Sequence, residues 1–171
     1  DHYWVWGVGY ADGIFYGLAY SGDGKLADAA THLHLVRSND ALDWEKVSQV
    51  SPDGSEATLR MAEDGTMRVA IRDKKETRLS IATAKPPFED WQLTDVDKII
   101  PAPKLIQVGG QEYIIGHHHL PDSNNPGSYI DRRTSVWRIE DYKLEHVLDL
   151  PSSGDTSYVG VIIQEDESVL L

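Results

Sequence analysis
Four kinds of side chain in this sequence can do chemistry, and their spacing groups them. Glu56 lies at the start of an apolar run, Ser55-Glu56-Ala57-Thr58-Leu59-Arg60-Met61, and Arg72 closes the next run, 16 residues on. Arg132 and Arg133 begin a third run, and Tyr158 begins a fourth, 25 residues after Arg133. A carboxylate can take up a proton. A guanidinium grips a carboxylate through two parallel charge-assisted bonds. A phenol becomes a nucleophile when a neighbour removes its proton. His117-His118-His119, followed by Asp122, end a further run and carry donors suited to Zn2+ or another transition metal. Successive residues of a strand point to opposite faces, so His118 does not join His117 and His119. No metal is therefore expected there, and His117 stands as a candidate that faces a substrate. His2, His32, His34 and His146 fall into no constellation by spacing.

Each candidate also has a plain structural role open to it. Glu56 can be an exposed carboxylate at a strand start, and Arg72 can belong to the charged hairpin tip Arg72-Asp73-Lys74-Lys75-Glu76. Either Arg132 or Arg133 can form a surface ion pair with Asp131, which contributes little to stability. Tyr158 can be a packed strand aromatic, and Asp155, three residues before it, reads as a turn residue. The long polar loop from His119 to Tyr129 is the kind of segment that carries specificity on a rigid scaffold.

The elements that must hold these residues are strands. Short runs of β-branched and aromatic residues are separated by Gly, Pro, Asp and Asn, and helix-period segments are almost absent; Lys25 to Thr31 is the best helical candidate. Expected strands include Ile14–Tyr20, Leu33–Ser38, Trp44–Val50, Ala57–Met61, Thr66–Arg72, Arg78–Ala84, Glu112–His117, Ser135–Ile139, Leu144–Leu150 and Tyr158–Ile163. Trp4-Val5-Trp6 and Tyr16/Tyr20 alternate as strand residues do and are expected mainly in the core. A turn followed by an apolar strand occurs three times, at Asp12-Gly13, Asp64-Gly65 and Gly109-Gly110, and the aromatics Trp44, Trp91 and Tyr142 follow at a similar interval. A repeat of about 45–50 residues built from short strands is the signature of propeller blades. The expectation is an all-β propeller of four-stranded antiparallel blades, about three and a half of them, belonging to a ring of roughly six. The approximate blades are 1–52, 53–99 and 100–153, with the start of another at 154–171. An antiparallel sandwich is the alternative. The apolar residues close to both ends suggest a segment of a longer ring.

Composition narrows the partners. The 171 residues carry 16 Lys+Arg against 28 Asp+Glu, a formal net charge of −12, which argues against a nucleic-acid partner because such binders need a basic face. No apolar run is long enough to span a membrane. With no cysteine, the chain has no disulfide, thiolate metal site or cysteine nucleophile.

Two motifs resemble those of the sialidase (neuraminidase) superfamily of propellers. Ser38-Asn39-Asp40-Ala41-Leu42-Asp43-Trp44 is similar to the Asp-box hairpin S-x-D-x-G-x-T-W of the BNR repeat, without its glycine and one residue shorter. The segment from Glu56 through Gly65 to Arg72, and the later Arg132/Arg133 and Tyr158, resemble the superfamily's site residues in order and spacing. The resemblance implies a retaining exo-glycosidase acting on a terminal acidic sugar of sialic-acid type. By the same resemblance Tyr158 is the nucleophile, Glu56 its base, and Arg72 and Arg133 (or Arg132) two members of a carboxylate clamp. A neutral Tyr suits a substrate whose anomeric carbon bears a carboxylate that would repel an anionic nucleophile. The chemistry needs no cofactor, the partner is a small-molecule or glycan substrate, and the setting implied is secreted or periplasmic. The superfamily's first clamp Arg, in an F/Y-R-I-P motif, and its acid/base Asp are not in this chain and are expected upstream of residue 1. The alternatives are a non-catalytic propeller that binds glycans or proteins, and a glycosidase with two carboxylates.

Overall fold
A computed structural model describes residues 3–21, 32–73, 78–96, 98–125, 129–152 and 157–171. The helical candidate Lys25 to Thr31 and the turn around Asp155 lie outside these residues. The chain is all-β. Strands β1 (Tyr3–Ala11), β2 (Ile14–Ser21), β3 (Leu33–Ser38) and β4 (Glu45–Ser51) form one antiparallel sheet in sequential order. β5 (Gly54–Met61), β6 (Met67–Asp73), β7 (Leu79–Ala84) and β8 (Gln92–Val96) form a second. β9 (Lys104–Val108), β10 (Gln111–Pro121), β11 (Tyr129–Glu140) and β12 (Lys143–Leu150) form a third, and β13 (Ile162–Ile163) pairs with β14 (Val169–Leu170). These are propeller blades, each a meander whose strands run from the axis outward. Among the described residues there is no helix long and apolar enough to cross a membrane.

Turn chemistry sets the first hairpin of each blade. Asp12-Gly13 and Gly109-Gly110 both have positive φ at the two central positions, the two-residue loop whose twist matches its strands. Gly65, at φ 78°, closes the equivalent turn of the second blade. The hairpin before β4 is tied by side chains instead. Ser38 Oγ donates to Asp40 Oδ1 and accepts the Ala41 N–H at 2.9 Å each, and Asp40 Oδ1 accepts the N–H groups of Leu42 and Asp43 at 2.9 Å. Ala41 holds φ 62° there without a glycine. The β11–β12 turn uses Asp141 and Tyr142, both at positive φ.

The cores lie between blades, because each meander presents two faces. Met67, Val69 and Ile71 of β6 point to the first blade and pack on Leu18, Leu33, Leu35 and Val50. Ala70 of β6, with Leu79 and Ile81 of β7, points the other way, to Ile100, Leu105, Ile114, Trp137 and Ile139. The middle blade is thus buried on both sides, and β7 reads as a nearly continuous buried run. Near the axis the inner strands come so close that side chains do not fit. A Cβ on Gly7 would lie 2.5 Å from the carbonyl oxygen of Ala57.

Two expectations need correction. Trp4 and Trp6 are 60% and 37% exposed, their rings resting against Tyr20 and, for Trp6, Tyr158 at the surface and not in either core. Of the expected strand Tyr158–Ile163, only Ile162–Ile163 is paired, since β14 is long enough to meet only that part.

Candidate functional site
Strand direction gathers the candidates at one end of the blades. β5 and β9 start there, and β2, β6 and β10 end there. Tyr20, Arg72 and His117 each stand seven residues after their blade's turn glycine, Gly13, Gly65 or Gly110, so the repeat delivers one residue per blade to the same mouth. Glu56 sits in a register irregularity between Ser55 and Thr58 of β5, with φ 47°. That left-handed conformation is strained for a glutamate, and such strain clusters at functional sites.

Both Glu56 oxygens are engaged. Oε1 accepts from Arg72 Nη1 at 2.6 Å and Oε2 from the Ala102 N–H at 3.1 Å. The Glu56 side chain is 14% exposed and that of Arg72 37%, so the arginine is the part of the pair that reaches solvent. Burial pushes the Tyr20 phenol above its ordinary pKa. The Glu56 carboxylate and Tyr158 act in the same direction, while Arg72 pulls back. Tyr20 therefore stays a neutral hydroxyl in the field of three of the mouth's groups.

Tyr158 is held by rings. It packs edge-on against Trp6 and His117, with centroids 5.5 and 5.9 Å apart, and is 56% exposed. His117 is buried, and its Nε2 accepts the Ser157 N–H at 3.1 Å, which fixes the segment that carries Tyr158. Trp6, Ala102, Pro103, Lys104 and Tyr158 line a cleft of about 350 Å³. Glu56 borders it through Ala102.

The two candidate arginines part company. Register pairs His118 with Arg133 and His119 with Arg132 across β10 and β11. Paired residues share a face, so Arg132 lies on the face of His117 and His119, and Arg133 on the face of His118. Arg133 is bound there to Asp131 at 2.6 Å and to Asp149 at 2.8 Å. Glu56, Arg72, His117 and Tyr158 are thus brought to the mouth, Arg132 shares the His117 face, and Arg133 stands in a separate ionic cluster. Sequence reasoning placed Tyr20 and Trp6 in the core. The seven-residue interval from each turn glycine was the signal that could have found Tyr20.

The alternation expected for the three histidines holds. The rings of His117 and His119 are neighbours at 5.5 Å, while His118 turns to the opposite face and meets His146. A larger cleft of about 490 Å³ opens at the other end of the second and third blades. Asp64 and Glu112 both line it, and Glu112 is held by Arg60 at 2.6 Å and Arg68 at 2.9 Å, ion pairs that join the two blades.

No protein-family model and no curated protein matches this sequence. Solved structures do match in fold. A xylan β-1,4-xylosidase from Bacillus halodurans matches with TM-score 0.68 and 14% identity over 95% of this chain and 35% of its own. A levansucrase variant from B. megaterium matches with TM-score 0.62 and 12% identity, over 92% of this chain and 57% of its own. An endosialidase from phage phi92 matches with TM-score 0.56 and 15% identity, over 81% of this chain and 24% of its own. The chain thus spans well under two thirds of the length of these structures, and the likeness establishes the propeller fold.

Proposed function
We propose that this chain is part of a propeller glycoside hydrolase and supplies one side of its active site, and that the substrate is a glycan ending in an acidic sugar of sialic-acid type. The observation that carries the reading is the Glu56–Arg72 pair at 2.6 Å beside a cleft walled by Trp6 and Tyr158. In this reading Arg72 turns its exposed guanidinium edge to the sugar carboxylate, and its fork has more donors than the single Glu56 oxygen takes. Tyr158 attacks the anomeric carbon as the glycosidic bond breaks and the leaving oxygen is protonated by the acid, Glu56 takes the phenolic proton directly or through one water, and a water molecule then displaces Tyr158 and releases the sugar. Tyr20, neutral, donates a hydrogen bond at the mouth. Arg132 is the second clamp arginine in preference to Arg133, because it lies on the His117 face. Trp6 stacks on the sugar ring. The remaining clamp arginine and the acid belong to blades beyond this segment, in a ring to which the three blades here contribute.

The second reading, a glycan-binding propeller without catalysis, draws on one feature. Both Glu56 oxygens already hold partners, as they would in a purely structural pair.

The test is hydrolysis of a fluorogenic sialoside by the full-length protein, run beside neutral and uronic-acid glycosides, with Tyr158→Phe in parallel. Sialoside turnover that collapses in the variant supports the reading. Turnover of a neutral glycoside alone keeps the hydrolase and discards the acidic sugar. A folded protein inactive on all of them, yet retained on a glycan array, supports the binding module.

A further inference from the structure
On the face of the third blade turned toward the second, three donor groups from two strands meet over a third strand. His118 ends up on β10, while His146 and Asp149 lie on β12, and β11 runs between them. In a regular strand residues three apart point to opposite faces. Here the register slips between Val136 and Trp137, so Val136 pairs with Leu148 and Trp137 with His146, leaving Val147 unpaired. The bulge turns His146 to the same face as Asp149, the re-aiming of a side chain that bulges perform. His146 Nε2 then lies 2.7 Å from Asp149 Oδ1, His118 Nδ1 lies 3.8 Å from the same oxygen, and all three donor atoms fall within 4.8 Å of one another.

We propose that His118, His146 and Asp149 form a binding site for one divalent transition-metal ion, Zn2+ by the chemistry of its donors. Ligands about 2.1 Å from a tetrahedral ion sit roughly 3.4 Å apart, inside the span of these atoms. Two imidazoles and one carboxylate are a set that Zn2+ takes with water in the fourth position. The acceptor that a metal would satisfy is present. His118 Nδ1 is buried and has no hydrogen-bond partner.

The surroundings are those of an oriented ligand set. Ser135 Oγ donates to Asp149 Oδ1 at 2.6 Å and Arg133 Nη1 to Oδ2 at 2.8 Å, which pins the carboxylate. Trp137 stands edge-on to both imidazoles with centroids 4.9 Å away and fixes their planes. Arg133 is balanced by Asp131 at 2.6 Å, and the Lys98 ammonium rests over the Trp137 ring at 4.8 Å. His146, the most exposed of the three, gives the ion its path from solvent. The site is separate from the mouth, because His117 and His118 point to opposite faces of β10. It would tie β10 to β12 beside His117, whose ring holds the segment that carries Tyr158.

The experiment is titration of the metal-stripped full-length protein with ZnCl2 by calorimetry, followed by cobalt(II) absorption, for wild type, His146→Ala, His118→Gln, Ser135→Ala and His119→Ala. The expected result is one equivalent bound and a cobalt spectrum of tetrahedral intensity. Affinity should fall at least tenfold in His146→Ala and His118→Gln, and 10–100-fold in Ser135→Ala through loss of the outer-shell bond. His119→Ala should bind as wild type. His146 is exposed, so that variant keeps the fold even if His118→Gln does not. Absence of saturable binding below about 100 μM overturns the proposal. So does binding that survives His146→Ala unchanged, or binding lost in His119→Ala alone.

Discussion

Replacing Glu56 by Gln separates the two roles this residue can play. Gln keeps the shape and can still accept one hydrogen bond through its carbonyl oxygen, but it cannot hold a proton and carries no charge. The stability term has two parts. A hydrogen bond to a charged group contributes about 1.5–3 kcal/mol and a neutral one about 1, so the exchange at Arg72 costs about 1 kcal/mol. The 37% exposure of Arg72 discounts it further. The other Glu56 oxygen accepts the Ala102 N–H, which the Gln amide nitrogen cannot do, so a donor is left unpaired at a cost of about 1–3 kcal/mol. For a domain of this size each kcal/mol lowers Tm by about 2–4 °C. The catalytic term is separate. A positioned general base contributes about 10²–10⁴ in rate, or about 2.7–5.4 kcal/mol of barrier. The two terms are read from the same preparation, by initial rates on a fluorogenic sialoside across pH and by thermal unfolding. The expected result is a rate lower by at least 10², measured where the variant is fully folded, with Tm lower by several degrees. The double variant with Tyr158→Phe should lose little more than either single one, because residues that act as a unit are not additive. A rate within threefold of wild type refutes the assignment and leaves the Glu56–Arg72 pair a structural bond.

Three further outcomes follow from the geometry. Ser48→Ala should lower stability by about 1–3 kcal/mol, because Ser48 Oγ accepts from Trp91 Nε1 at 2.9 Å and donates to Phe88 O at 2.6 Å, joining the first two blades; chemical denaturation with an unchanged m-value checks it. Gly7→Ala should cost about 1–3 kcal/mol or more, since its Cβ meets a backbone carbonyl at 2.5 Å that cannot turn away; an unchanged Tm would show that β1 and β5 stand farther apart. Tyr20, whose pKa is raised first by burial and then by Glu56 and Tyr158, binds its proton more tightly folded than unfolded. Its stabilisation is complete below the unfolded value near pH 10 and is lost as pH rises through the folded one. Tyr20→Phe should therefore flatten the alkaline limb of the stability curve, and an identical limb in the variant would contradict this.

What the residues alone determine here is local. Strand period, turn chemistry and their repetition depend on sterics within a few residues, so Leu33–Ser38 is read to its ends and the turns at Asp12-Gly13 and Gly109-Gly110 are found at their positive-φ positions. The closing of the hairpin before β4 by Ser38 and Asp40 is legible for the same reason. The Glu56 and Arg72 candidates were also visible, because they lie on adjacent strands of one hairpin. What only the tertiary structure decided depends on which strands lie side by side. Trp4 and Trp6 look like core from their alternation, yet their exposure depends on what covers β1. The choice between Arg132 and Arg133 turns on a register that shifts every side chain to the other face when it slips by one. His146 belongs to no spacing pattern with His118. The 27 residues between them are folded back through β11, and the unpaired Val147 turns the ring to the shared face. Local sterics are written in consecutive residues, whereas the meeting of distant side chains is a property of the pairing.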